Sequence, residues 1–331
     1  MNRILVIGCG DIARRAIPLL VPRFRVFALV RRPQAMAAMR ALGAVPLQGD
    51  LDDRRSLARL AGIADAVLHF APPLAAGDPP SRGDGQNTQD IRTRHFLAAL
   101  GNRRSLPQRL IYLSTTGVYG DCGGALVDET RPCRASSARA RRRLDAEHRL
   151  RAFGRRCQVS VAVLRAPGIY AADRLPIERL ARGDPVPADE IFTGHIHADD
   201  LARLAVAALF RARPGRVYNA VDDSRLPVSD YFDLVADACG LPRPPRLPRA
   251  ALGPSPFMKE SRRVGSTRLV RELDFRLRYP TVAHGLAAMR PSPRSIPVIA
   301  SAAIARIEAL DTIQSNVTRL RREVRGRRTA V

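Results

Sequence analysis

Lysine is almost absent from this chain. Lys259 is the only one, so all but one of the 55 basic residues are arginine. There is no tryptophan, and aromatic residues make up 5% of the 331 residues. The net charge of +24 thus rests on an arginine-rich composition with abundant alanine and proline. The arginines are spread along the chain and aromatics are few, which argues against a surface that stacks nucleic-acid bases. No run reaches the roughly 18 apolar residues that a membrane span needs. The apolar run Ile4-Leu5-Val6-Ile7 is short and ends in glycines rather than a cleavage site, so no secretory signal is read. The five cysteines (Cys9, Cys122, Cys133, Cys157, Cys239) include no Cys-x-x-Cys pair, so neither a zinc site nor a disulfide framework is signalled. A cytoplasmic protein with reduced thiols is expected.

Short apolar, β-branched runs predict strands over 4–7, 25–30, 45–47, 66–70, 109–114, 159–164 and 217–220. Helical patterns fall between them. One follows the first strand through Ala16, Leu19 and Leu20, and others cover 36–42, 52–60, 90–100, 138–153, 177–181, 200–210 and 228–239. Strands alternating with helices at short intervals predict an α/β fold built on a doubly wound parallel sheet. Residues 74–87 and 242–256 are rich in glycine or proline and read as loops, while 264–273 and 281–289 complete a small lobe. The expected organisation is a nucleotide-binding domain over 1–165, a smaller substrate lobe over 166–290 interleaved with the sheet, and a basic helical extension over 291–331. In that extension Leu310, Ile313, Val317, Leu320 and Val324 are spaced 3, 4, 3, 4, a heptad-like stripe. It either lies on its own domain or supports self-association into a homo-oligomer.

Gly8-Cys9-Gly10-Asp11-Ile12-Ala13 stands between the first strand and the first helix. A strand-to-helix turn that cradles a pyrophosphate needs glycine at the tight bend and at the point of backbone approach. Gly8 and Gly10 fill these positions, and small Ala13 serves the third. The start of the helix, at Asp11, Ile12 and Ala13, offers free N–H groups and partial positive charge to phosphates. This placement predicts a Rossmann-type dinucleotide site. An NAD site places an acid about 20 residues beyond the loop. Here Val30 is followed by Arg31-Arg32, whose guanidiniums suit a 2′-phosphate, so NADP(H) is favoured over NAD(H). Asp50-Leu51, after the third strand, either contacts adenine or starts the next helical segment.

Several segments together resemble the extended and atypical short-chain dehydrogenase/reductases, the group that contains nucleotide-sugar epimerases and dehydratases. They are Gly8-x-Gly10-x-x-Ala13, Gly49-Asp50-Leu51, Leu113-Ser114-Thr115-Thr116-Gly117-Val118-Tyr119-Gly120, Val127-Asp128-Glu129, Leu164-Arg165-Ala166-Pro167-Gly168-Ile169-Tyr170 and His197-Ala198-Asp199-Asp200-Leu201. They occur in family order over residues 1 to 290. The resemblance implies that the nicotinamide lies at the end of the fifth strand and that Thr115, with Ser114 and Thr116 beside it, holds the reacting oxygen. It implies cofactor contacts from Ala71, Pro167 and Ile169, and a helix start positioned by the His197-x-Asp199-Asp200 stretch, with Asp199 as its cap.

The family's acid/base is a tyrosine with a lysine four residues on. Counting back from Glu147 puts Arg143 at the lysine position and Arg139 at the tyrosine position. No tyrosine lies between Tyr119 and Tyr170, and no Tyr-x-x-x-Lys occurs anywhere. Arginine does not act as a general acid near neutral pH. Arg143 is left to bind ribose or phosphate, and Tyr119 is the nearest phenol to the site. His195-x-His197 lacks a third ligand, so no metal is expected.

The reading is an NAD(P)-dependent oxidoreductase or epimerase/dehydratase-like protein acting on a small carbonyl or hydroxyl substrate. The rival is a non-catalytic NADP(H)-binding regulator or interaction protein. A weaker alternative is nucleic-acid binding through the basic tail.

Overall fold

The computed structural model describes residues 1–74, 88–101, 105–252 and 260–289. In chain order the strands are β1 (Arg3–Ile7), β2 (Arg25–Val30), β3 (Val45–Gln48), β4 (Ala66–His69), β5 (Arg109–Thr115), β6 (Leu126–Val127) and β7 (Ser160–Ala166). They continue with β8 (Gly168–Tyr170), β9 (Val186–Pro187), β10 (His195–His197), β11 (Val217–Asn219), β12 (Arg246–Leu247) and β13 (Arg263–Val264). The α-helices are α1 (Asp11–Leu20), α2 (Gln34–Ala41), α3 (Ile91–Leu100), α4 (Ala138–Cys157), α5 (Ile177–Ala181), α6 (Ala198–Arg211), α7 (Val228–Cys239), α8 (Thr267–Leu273) and α9 (Val282–Met289).

Seven strands form one parallel sheet in the order β11-β7-β5-β4-β1-β2-β3. From β1 the chain winds outward to β3, then crosses back to place β4 on the other side of β1. Parallel strands that diverge in this way leave a crevice at their carboxyl ends, where ligands of open α/β sheets bind. Successive residues of β1 are buried on opposite faces. Ile4 and Val6 face Ala16, Ile17 and Leu20 of α1 and Leu204 and Ala208 of α6. Leu5 and Ile7 join Leu57, Phe96 of α3 and Leu150 and Phe153 of α4. Burial on both faces explains why the central strands read as continuous apolar runs rather than alternating ones.

Beyond Ala166 the chain leaves the sheet twice and returns with α6 and β11. The remaining segments build the lobe, whose core includes Tyr170, Leu180, Ile191, Tyr231, Phe232, Val235 and Leu286. Three two-stranded parallel ladders tie distant segments together: β10 with β8, β12 with β9 and β13 with β6.

The segment expected as a helix over 52–60 is a 3-10 helix over Arg54–Leu60, started by Asp53, whose carboxylate accepts the N–H of Arg55. Most of the expected loop over 74–87, part of that over 242–256, and the whole 291–331 extension lie outside the described residues. No helix among the described residues is long and apolar enough to cross a membrane.

Candidate functional site

The glycine loop sits at the switch point. Gly8 has φ +84°, and a Cβ there would lie 2.3 Å from the N of Ala71. Only glycine adopts this backbone and admits that approach. The N–H groups of Phe70 and Ala71 both donate to the Ile7 carbonyl, at 2.7 and 3.1 Å, so the end of β4 is locked onto the end of β1. Gly10 is the N-cap of α1, with no side-chain cap, and a Cβ on it would meet nothing within 4 Å. The first intrahelical bond runs from the Arg14 N–H to the Gly10 carbonyl, which leaves the first-turn N–H groups at Asp11, Ile12 and Ala13 without intrahelical acceptors, the usual makings of an anion cradle. The Asp11 carboxylate is committed elsewhere. It accepts from Arg15 Nε at 2.8 Å and from Arg174 Nη1 at 3.0 Å.

Arg31 and Arg32 follow β2, exposed, and their guanidiniums bond to no described residue. Beside them, the Gly49 N–H donates to the Val30 carbonyl at 3.0 Å. Asp50 accepts the Asp52 N–H at 3.0 Å, which makes it a turn former, while Leu51 is buried.

At the end of β5, three neighbouring hydroxyl residues divide their work. Thr115 is half-buried; its Oγ1 accepts the Gly117 N–H at 3.2 Å and donates to no described residue. Ser114 is buried and donates to Glu147 Oε1 at 2.5 Å. Thr116 is buried beside them. Glu147 also receives Arg165, at 3.1 Å from Nε and 2.6 Å from Nη2, and both side chains are buried. The Arg165 guanidinium lies 4.8 Å from the Tyr119 ring centroid, a cation–π geometry. Tyr119 is 1% exposed and donates its hydroxyl to Asn219 Oδ1 at 2.7 Å. Burial pushes its phenol up to about 12, with Arg165 opposing. Ser114 and Tyr119 are thus turned inward, with their hydroxyl protons already donated.

Arg143 reaches from α4 into the sheet end. Its Nη1 donates to the Leu113 carbonyl at 2.6 Å, to the Tyr112 hydroxyl at 3.1 Å and to the Ala71 carbonyl at 3.4 Å. Its Nε is buried and has no hydrogen-bond partner among the described residues. One turn earlier stands Arg139, exposed at its end. Partial burial and then the charge of Arg143 hold its guanidinium below the ordinary value. Burial, reinforced by Arg143, also lowers the His69 imidazole to about 3, so it is neutral between the edges of Phe96 and Tyr112.

The lobe closes the other side. Pro167 and Ile169 follow β7, partly buried, with Ile169 registered against Ile196. Arg15 of α1 binds Asp11, Asp173 and Asp199, the last at 2.6 Å. Together with the Arg174–Asp11 bond, this network fastens the lobe to the helix that begins at the glycine loop. The cap of α6 is His197, whose Nδ1 accepts the Asp199 N–H at 3.1 Å. The expectation that Asp199 caps this helix is corrected: Asp199 lies in the first turn and pairs with Arg15. His195 stacks on Tyr231 at 4.1 Å, and burial lowers its imidazole to about 3.

The structure therefore brings the loop at Gly8, Ala71, Arg143, the β5 end with Thr115, and the Pro167 turn to one rim of the sheet. Sequence reasoning singled out none of Arg15, Arg174 and Asn219, and used Glu147 only as a landmark. One signal for Glu147 was available. In α4, with eight arginines, it is one of two acids, and a lone acid at a buried helical position calls for a buried cation.

The model of the NAD dependent epimerase/dehydratase family matches residues 4–220. A curated relative, 4-hydroxy-2-methyl-3-oxo-4-farnesyl-3,4-dihydroquinoline-1-oxide ketoreductase from Stigmatella aurantiaca, is 27% identical over 262 residues, 76% of this chain and 75% of its own. Among solved structures, a conserved protein of unknown function from Silicibacter pomeroyi is 32% identical with a TM-score of 0.70, covering 87% of this chain and 98% of that one. A dTDP-glucose 4,6-dehydratase from Streptomyces venezuelae, solved with NAD bound, is 22% identical with a TM-score of 0.68, covering 86% and 95%. The last likeness is one of fold.

Proposed function

The chain belongs to the NAD dependent epimerase/dehydratase family, and from that premise we propose that it reduces the carbonyl group of a small molecule with NADPH. An NAD(P)-dependent oxidoreductase-like function follows from the family and from the ketoreductase relative. That relative also favours carbonyl reduction over epimerisation. The crevice residues fit the cofactor. A Cβ on Gly10 would meet nothing within 4 Å, α1 begins without a side-chain cap, and the buried Arg143 Nε has no partner among the described residues. A nicotinamide held there would supply the hydride. The preference for NADPH rests on Arg31 and Arg32, two exposed guanidiniums that bond to no described residue, where a 2′-phosphate would sit.

The observation that carries the catalytic reading is the Thr115 hydroxyl at the end of β5, which accepts the Gly117 N–H and donates to no described residue. Thr115 donates to the substrate oxygen and orients the carbonyl. Charge that develops on that oxygen is favoured by the guanidinium of Arg143 and, one turn away, by Arg139. The proton that completes the alcohol comes from water, because the crevice holds no tyrosine at the family's position. Ser114 and Tyr119 are positioning residues that hold the β5 end through Glu147, Arg165 and Asn219.

The test is NADPH oxidation across a panel of aldehydes and ketones. Thr115→Ala is expected to lower kcat at least 100-fold with the Kd for NADPH unchanged, a loss of the size seen when an oxyanion donor is removed. Tyr119→Phe should leave kcat within a few-fold. Arg31→Ser with Arg32→Ser should raise the Kd for NADPH at least tenfold and leave that for NADH unchanged. Two guanidiniums at the acid/base positions favour a second reading, a non-catalytic NADP(H)-binding regulator. Tight NADPH binding with no oxidation on any member of the panel selects that reading.

A further inference from the structure

A second cleft, of about 470 Å³, lies beside α4 and is not lined by Arg143. It is bounded by the 129–133 loop, by α4, by the edge strand β11 and by α8. Its volume falls within the range of small-molecule sites. Leu144, His148 and Arg151 line it from α4 at helical spacing, so they share one side of that helix.

Five guanidiniums line the cleft. Three are balanced by carboxylates. Arg165 is bound by Glu147 at 2.6 Å, Arg216 by Glu272 at 3.2 Å, and Arg268 lies 3.7 Å from both Glu129 and Glu272. Glu129 is the one carboxylate lining the cleft, and it also accepts the Asn219 N–H at 2.9 Å. Asp128 lines a neighbouring groove and accepts from Thr130 of its own loop. Arg131 and Arg151 make no ion pair with any described residue, and the buried Nε of Arg151 has no partner among them. Two positive charges are therefore left over, one on the loop wall and one on the helix wall. Burial raises the Cys133 thiol of the cleft wall, and the charges of Arg165 and Arg151 oppose it.

We propose that this cleft binds a small organic phosphate between Arg131 and Arg151, at a site separate from the dinucleotide crevice. A phosphate monoester carries a charge between −1.5 and −2 near neutral pH, which matches the excess. Guanidinium forks are suited to grip its oxygens bidentately. Pro132, Leu144 and Val217 supply apolar wall for the organic part. The buried Glu147–Arg165 pair stands between the two sites, reaching Ser114 on one side and the cleft on the other.

The test titrates inorganic phosphate into the full chain held at saturating NADP⁺, with ionic strength fixed by sodium chloride, and follows heat by calorimetry. Saturable binding is expected, weakened at least fivefold by Arg131→Gln and lost in the Arg131→Gln/Arg151→Gln double variant. Arg131 is exposed, so its variant keeps the fold even where the double variant does not. Arg59→Gln, an exposed arginine on the other half of the sheet, should leave the Kd unchanged. Acetate, a monoanion, should bind at least tenfold more weakly. No saturable binding in the wild type, a change under fivefold in Arg131→Gln, equal loss in Arg59→Gln, or equal affinity for acetate each overturns the proposal. The Arg131 dependence reads this cleft whether or not NADP⁺ occupies the crevice.

Discussion

Glu147 does the work of two partners. It takes the hydroxyl of Ser114 and both arms of Arg165, with 1% of its surface exposed. Removing the charge leaves a buried guanidinium without its counter-ion, which typically costs about 3–5 kcal/mol. Glu147→Gln is therefore expected to lower the urea midpoint sharply. It should also lower turnover through the β5 end, and Arg165→Met combined with it should restore much of the stability, because the unpaired charge is gone. Asp222 is a different case. Its Oδ2 is buried and has no partner among the described residues, and burial raises its carboxyl to about 7. The Ser224 bonds oppose this, while the charges of Asp223 and Asp200 add to it. A carboxyl whose folded pKa exceeds its unfolded one binds its proton more tightly in the folded state. Its favourable contribution is complete below about pH 4 and is lost as pH rises through 7. Asp222→Asn should consequently gain stability relative to the wild type between pH 5 and pH 8, by at most about 4 kcal/mol. A pH-independent difference in denaturant midpoints would contradict this.

At the scale of elements, Asp200 at the start of α6 is the corresponding hinge-pin. Fully buried, it accepts the N–H groups of Arg278 and Tyr279 at 2.9 and 2.8 Å, and Arg203 Nη1 at 2.7 Å. It thereby fastens the strap that leads into α9. Asp200→Asn keeps the shape but turns an N–H towards an N–H, at a cost of about 2–4 kcal/mol. Amide exchange over 276–281 should rise strongly in this variant while exchange in β1 and β5 does not change. The strap was not legible beforehand, and the reason is general. The strands β1, β2 and β4 and the helices α5 and α7 could be read from sequence because period and composition act within a dozen residues. The ladders β8–β10, β9–β12 and β6–β13 are two or three residues long, and their partners lie 27 to 137 residues apart. No local pattern marks such pairing. The site divides in the same way. The glycine loop and the Thr115 motif are local, whereas Tyr119 meets Asn219 across 100 residues and Arg15 meets Asp199 across 184. Their commitment to these partners comes from topology alone.

For the molecule as a whole, the charge of +24 raises the question of where the basicity resides. Residues 290–331 carry nine arginines against Glu308, Asp311 and Glu323, about a quarter of the net charge. Most of the excess therefore belongs to the part of the chain that forms the sheet and lobe. Ion pairs there engage the acids, as at Arg15, Arg92 and Arg165, and the net excess is what remains after every acid is counted. Among the described residues, the buried members of the three apolar cores run from Ile4 to Leu286. A chain ending at Met289 is accordingly expected to keep both the wild-type denaturant midpoint and slope, because the slope follows the surface exposed on unfolding and the cores supply most of it. Its NADPH affinity should stay within twofold, since every expected cofactor contact lies at or before Ile169. A sedimentation mass equal to one chain for the truncated protein, against a multiple for the full chain, would assign the heptad-like stripe to self-association. Unchanged mass with a lowered midpoint would place the extension on its own domain instead. A tail-borne nucleic-acid interface predicts a third pattern. Salt-dependent DNA binding would vanish on truncation although about three quarters of the net charge remains, because counterion release is local to the residues that touch phosphate.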